Sequence, residues 1–132
     1  VSKYASLEDA IYIMLQNKVG VLPVVDNDQI SGIITDKDVF RAFLEISGYG
    51  QAGIRIGLEV PDTPRVLEKI ANLIASENLN IERTIVAPKN DTVLRVELQV
   101  EGEIGIDRLK KVFVEAGFTV TEIAETEAKE LD

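Results

Sequence analysis

Between residues 53 and 123 the hydrophobic repeat changes period in a fixed order, and that order restricts the folds open to this chain more than any other feature. Ile54, Ile56, Leu58 and Val60 alternate with Arg55, Gly57 and Glu59, the period of a half-buried strand. Pro61-Asp62-Thr63-Pro64 then turns the chain; Pro64 suits the first position of a helix with Thr63 as its cap, and Val66, Leu67, Ile70, Ala71 and Ile74 form the apolar stripe of a helix ending near Asn78. Residues 80–87 and 92–100 predict two strands around the Lys89-Asn90-Asp91 turn. In the latter, Leu94, Val96, Leu98 and Val100 face one way and Arg95, Glu97 and Gln99 the other, so a hairpin with one wet face is expected. A helix over 106–116 carries Leu109, Val112, Phe113 and Ala116 inward and stops at Gly117, and 118–123 reads as a closing strand. Residues 124–132 form an acidic tail expected to fray.

The first half has a different pattern. Leu7, Ala10, Ile11, Met14 and Leu15 recur at helical spacing, with Ser6 and Asp9 placed as a capping pair. Residues 19–25 and 30–34 are apolar runs rich in β-branched side chains, separated by Asp26-Asn27-Asp28, and so predict a buried hairpin. Asp36 can cap the next helix, whose Val39, Phe40, Phe43 and Leu44 share a face, before Gly48, Gly50 and Gly53 interrupt the pattern. The expected boundary lies near Gly50. The expected class is therefore α+β: a half-module of helix, β-hairpin and helix over residues 1–50, then a βαββαβ domain over 53–123, the split βαβ arrangement of ferredoxin-like folds.

Composition removes whole classes of function. The chain has 132 residues, 14 Lys plus Arg against 23 Asp plus Glu, and a net charge of −9, which argues against a nucleic-acid partner. It has no cysteine and no histidine, which excludes thiolate nucleophiles, thiol or imidazole metal sites and histidine-based triads. No pair of carboxylates is spaced as a recognisable acid and base, so no catalytic residues, no metal and no enzymatic activity are expected. No run approaches the roughly 20 apolar residues that cross a bilayer, and the first residues lack the basic-then-apolar order of a signal peptide. A cytoplasmic protein without a membrane partner is expected.

One segment carries binding chemistry. A helix start presents unpaired amides and the positive end of the backbone dipole, so the Thr35 hydroxyl beside it can join in holding a phosphate. Asp38 falls on the first turn, where a carboxylate can accept hydrogen bonds from two ribose hydroxyls. Gly20 permits close approach, Pro23 fixes the chain direction, and Val21, Leu22 and Ile34 supply apolar walls for an adenine edge. The same Thr35 and Asp38 are equally ordinary capping residues. Asp26 and Asp28 read as turn formers, and Lys37 as a solvated helix residue.

Ser6-Leu7-Glu8-Asp9-Ala10, Gly20-Val21-Leu22-Pro23-Val24-Val25-Asp26 and Gly32-Ile33-Ile34-Thr35-Asp36-Lys37-Asp38 together resemble a CBS motif across nearly all of residues 1–46. In that family two motifs pair into a disc, the Bateman module, and AMP, ADP, ATP or S-adenosylmethionine lies between them. The resemblance implies Thr35 at phosphate, Asp38 at ribose and the 21–23 backbone near the base. Only one motif is present, and the strand that normally precedes Ser6 is cut short. Either the chain is a fragment or two copies pair across a two-fold axis.

Residues 53–123 resemble an ACT domain, a regulatory fold that often binds amino acids between copies. The resemblance rests on Leu58-Glu59-Val60-Pro61-Asp62-Thr63-Pro64-Arg65-Val66-Leu67 and on Asn80-Ile81, and it implies a ligand site at Asp62, Arg65, Asn80 and Ile81. Arg65 stands where the family usually has glycine, so the amino-acid site is expected to be lost or altered to take a carboxylate or phosphate. A CBS motif followed by an ACT domain is similar to the bacterial acetoin-utilisation regulatory proteins. The expected function is a non-enzymatic homodimeric regulator that uses an adenine nucleotide as regulatory ligand, has no other cofactor, and couples occupancy to the ACT half and an unknown regulated protein. The alternatives are an oligomerisation scaffold without ligand and an amino-acid-sensing regulator.

Overall fold

The computed structural model describes residues 1–130 and is α+β, with compact units at Val1–Ile46 and Ser47–Asp132. The expected acidic tail falls partly on residues 131–132, which lie outside the described residues. No helix among the described residues is long and apolar enough to cross a membrane.

In the first unit, α1 (Leu7–Asn17) leads into strands β1 (Val21–Asp26) and β2 (Gln29–Thr35) and then α2 (Asp36–Ser47). The Ser6 hydroxyl accepts from the Asp9 amide at 3.1 Å while the Asp9 carboxylate accepts from the Ser6 amide at 3.1 Å, a reciprocal box that starts α1 where the sequence places it. Asn27 and Asp28 both have positive φ (50° and 61°), the backbone of a two-residue hairpin turn whose twist matches that of the strands. Asp26 closes β1 and pairs with Lys3 at 3.1 Å. The core is small: Ala10, Met14, Leu22 and Val39 are buried, with Leu7, Ile11 and Ile34 packed against them.

The second unit contains β3 (Gly53–Pro61), α3 (Val66–Ser76), β4 (Asn80–Pro88), β5 (Val93–Glu101), α4 (Ile106–Glu115) and β6 (Thr119–Thr126). Its strands form one antiparallel sheet in the order β4-β5-β3-β6. The alternating residues Ile54, Ile56, Leu58 and Val60 of β3 and Val96, Leu98 and Val100 of β5 are buried with Ile70 and Ile74 of α3 and Leu109 and Phe113 of α4.

The hairpin of the first unit, expected to be buried, is covered on only one face: Val21, Ile30 and Ile33 are 51%, 71% and 66% exposed. Three details of the second unit also depart from the sequence-based expectation. First, α3 starts at Val66. Pro64 and Arg65 occupy the corners of a turn in which Thr63 O accepts from the Val66 amide at 3.3 Å, and Arg65 has φ 72° and ψ 5°. Proline at the first corner and positive φ at the second define a type II turn, which leaves Pro64 outside the helix and Thr63 without a capping role. Secondly, β6 runs on to Thr126, pairing Ala124 with Arg55 and Thr126 with Gly53, and the Lys129 amide donates to Gly50 O at 2.8 Å, so the expected frayed segment is ordered over those residues. Thirdly, Gln99, expected on a wet face, is 7% exposed. Its amide donates to Gln51 O at 3.2 Å and Thr126 Oγ1 at 2.9 Å, and Thr126 Oγ1 donates to Gln51 O at 2.8 Å. That polar knot fastens the chain before β3 to the end of β6, which explains both departures of the tail and of Gln99.

Candidate functional site

The hairpin brings the nucleotide-binding candidates of the first unit together. Its register sets Val21 opposite Thr35, Leu22 opposite Ile34 and Pro23 opposite Ile33, and Gly20 O accepts from the Asp36 amide at 2.8 Å. Side chains directly opposite in a ladder share a face. Val21, Pro23, Ile33 and Thr35 therefore share one face, and Leu22 and Ile34 point into the core, where Leu22 is 6% exposed. Leu22 and Ile34, expected as aliphatic walls, thus make core contacts, and the apolar side chains on the outward face are Val21 and Ile33, which are 51% and 66% exposed. Ile33 and Ile34 are adjacent and so face opposite ways in a strand, and because residues 29–35 show no apolar–polar alternation, only the register with β1 decides that Ile33 is the outward one. Gly20 does meet a close approach, but of protein: a Cβ there would lie 3.0 Å from Asp36 Oδ2.

Thr35 is the cap of α2, and Asp36, expected to be the cap, is its first residue. The Thr35 amide donates to Asp38 Oδ2 at 2.8 Å, and the Asp38 amide donates to Thr35 Oγ1 at 3.2 Å. Capping thus uses one carboxylate oxygen and one hydroxyl lone pair. Asp38 Oδ1 still presents acceptor sites, and the single Thr35 hydroxyl proton can go either to the Asp38 carboxylate or to a ligand, so capping leaves both residues able to meet a ligand. The Thr35 amide and hydroxyl, with the charge of Arg41 nearby, hold the Asp38 carboxyl below its ordinary range. An ionised carboxylate only accepts, which suits a diol and repels a phosphate placed on it.

This electrostatic arrangement has a pH signature. Because the folded pKa of Asp38 is depressed, its contribution to stability is present above the unfolded value of about 3.9 and is lost as pH falls through the folded value. The melting-temperature advantage of the native chain over Asp38→Asn is expected to shrink as pH is lowered from about 5 to about 2. A gap that stays constant over that range would contradict an ionised cap.

The second set divides. Asp62 lies where β3 ends, its amide donating to Thr92 O at 2.9 Å, and Arg65 is paired with Glu68 at 2.9 Å. Asn80 and Ile81 pair with Glu101 and Val100 at the far end of β5, whereas Pro61 pairs with Val93 at its start. The 9 residues of β5 separate the two groups by roughly 27 Å at about 3.3 Å per residue. Within one chain Asp62 and Arg65 therefore share no site with Asn80 and Ile81. Asn80 instead donates to Glu82 at 3.2 Å, and the hydrogen bond and charge of Glu82 hold the neighbouring Glu101 carboxyl above its ordinary range. Among the described residues no group of three or more carboxylates converges as a metal site would require.

Among solved structures the chain is similar to protein BT0572 from Bacteroides thetaiotaomicron, at 18% sequence identity and a TM-score of 0.44, over 56% of this chain and 48% of that one. The chain thus spans about half the length of that protein. The sequence comparison falls on the first unit, where the hairpin and the capped α2 build the Thr35–Asp38 arrangement: residues 1–45 match the CBS domain family, whose domains are regulatory and ligand-sensing.

Proposed function

We propose that the first unit holds an adenine nucleotide, with the sugar on Asp38, the phosphate at Thr35 and the start of α2, and the base against Val21 and Ile33 beside the 20–23 backbone. The protein in this reading is a non-enzymatic regulator whose second unit, an ACT-like βαββαβ domain, responds to occupancy. The observation that carries it is the register Val21 opposite Thr35, which sets an exposed apolar strand face directly beside the Thr35 hydroxyl at the start of α2 and an ionised diol acceptor. Regulation further requires that nucleotide bind two arrangements of the module unequally, since equal affinity shifts nothing.

Pairing of two such units, as a homodimer, is supported by the apolar groove between α1 and α2. It encloses about 630 Å³ and is lined by Met14, Leu15, Val19, Val39, Phe40 and Phe43. Leu15, Phe40 and Phe43 are 71%, 64% and 55% exposed, and apolar surface of that extent is ordinarily covered.

Calorimetric titration with AMP, ATP and S-adenosylmethionine tests the proposal. At least one is expected to bind, and Thr35→Ala with Asp38→Ala is expected to weaken it about tenfold or more, the equivalent of one lost hydrogen bond to a charged group. Thr35→Ser with Asp38 intact keeps the hydroxyl and is expected to bind as the native chain does. Unchanged affinity in the double alanine variant, with circular dichroism showing an intact fold, would sink the assignment.

A further inference from the structure

The second unit contains a cavity of about 300 Å³ on the sheet face away from its helices, roofed by residues 47–51. That volume is at the lower end of the range for small-molecule sites. Its floor is set by register. Gln99 of β5 lies opposite Arg55 of β3 on one side and opposite Arg83 of β4 on the other, so three adjacent strands present Arg55, Gln99 and Arg83 in one row on one face. At about 4.8 Å between strands the two arginine positions are roughly 10 Å apart, with a buried amide between them.

Both guanidinium groups retain donors. Arg55 approaches Glu97 only at 3.9 Å, too far for a hydrogen bond, and Arg83 uses Nη1 on the carbonyl of its neighbour Glu82. The roof adds an acceptor: Gln51 Oε1 is buried and has no hydrogen-bond partner, an arrangement that costs about 1–3 kcal/mol of desolvation unless something donates to it. Lys129 stands at the rim, donating to the Tyr49 hydroxyl at 2.8 Å. Three cations thus meet Glu97 and Glu127 around the cavity, while Glu125, opposite Ile54, belongs by register to the helix-covered side.

We propose that this cavity binds a small hydroxylated organic anion. Its carboxylate or phosphate lies between Arg55 and Arg83, which as planar forks suit either oxyanion, and its hydroxyl donates to Gln51 Oε1. The site uses no residue of the first unit and is independent of the nucleotide proposal. Because its roof and the Gln51, Gln99 and Thr126 knot are continuous, a ligand there would also tighten the segment before β3.

The test is titration of the full chain with malate and, separately, with inorganic phosphate at matched ionic strength, followed by melting temperature and by amide chemical shifts. Saturable changes centred on residues 48–51 and 97–99 are expected, weakened about tenfold or more in Arg55→Gln with Arg83→Gln and retained in Thr35→Ala with Asp38→Ala. Malate binding alone assigns a carboxylate ligand, and phosphate binding alone a phosphorylated one. Gln51→Met removes the unpaired acceptor and is expected to raise the melting temperature while weakening malate. If neither probe gives a saturable change, if the changes map elsewhere, or if the double arginine variant responds as strongly as the native chain, the proposal is overturned. Should that variant fail to fold, the shift map of the native chain alone decides.

Discussion

Phe113→Ala is expected to remove about 3–5 kcal/mol of stability from the second unit, the range for deleting a buried aromatic ring and leaving a cavity. Phe113 is 0% exposed and lies among Ile56, Leu58, Ile70 and Leu109, buried side chains on β3, α3 and α4. With a domain's total stability at about 5–15 kcal/mol, such a loss is a large fraction of the whole. A urea titration followed by the circular dichroism of the unit would show it as a lower midpoint at similar slope; a loss under about 1 kcal/mol would contradict the packing described. The first unit supplies the contrast. Phe40 is the same residue type on an amphipathic helix but is 64% exposed, so Phe40→Ala is expected to leave the fold nearly intact and instead to weaken any pairing of copies, read by sedimentation velocity.

Gly53→Ala is the second large effect, expected at about 3 kcal/mol or more. Gly53 has φ 149°, a region that costs other residues of order 1–3 kcal/mol. A Cβ there would also lie 2.4 Å from Val100 O and 2.9 Å from Gln99 Nε2, so β3 or Gln99 must move, which adds about 1–3 kcal/mol of overpacking. Displacing Gln99 loosens its bonds to Gln51 and Thr126, and hydrogen exchange at the Lys129 amide is expected to accelerate with the loss of stability. Gly32→Ala is the control. Nothing lies within 4 Å of a Cβ at Gly32, and its melting temperature should change little. Equal effects of the two substitutions would show that backbone conformation at Gly53 does not matter.

Local periodicity determined most of the secondary structure. The alternation in 54–60 and 94–100 and the helical stripes of α1, α3 and α4 are properties of consecutive residues, and burial follows them because one face must be covered. The box at Ser6 and Asp9 was legible for the same reason, since its partners lie three residues apart. The Thr35 and Asp38 pair was equally legible as a helix start, and Asp36 was misplaced by one residue because several side chains there can cap and only the backbone decides which one does.

What the tertiary structure decided depends on residues far apart in sequence. Gln99 alternates with apolar residues and reads as solvent-facing, yet Gln51 and Thr126, 48 residues before it and 27 after it, bury it. Arg55 and Arg83 form a row only through the register each shares with Gln99. Asp62 and Asn80 read as one motif along the chain, but the antiparallel sheet sends them to opposite ends of β5. The sequence by itself determined which residues alternate, which can cap and which classes of chemistry are absent. Strand pairing alone determined which side chains meet, because a ladder fixes neighbours by register and a one-residue slip would turn every one of them to the other face.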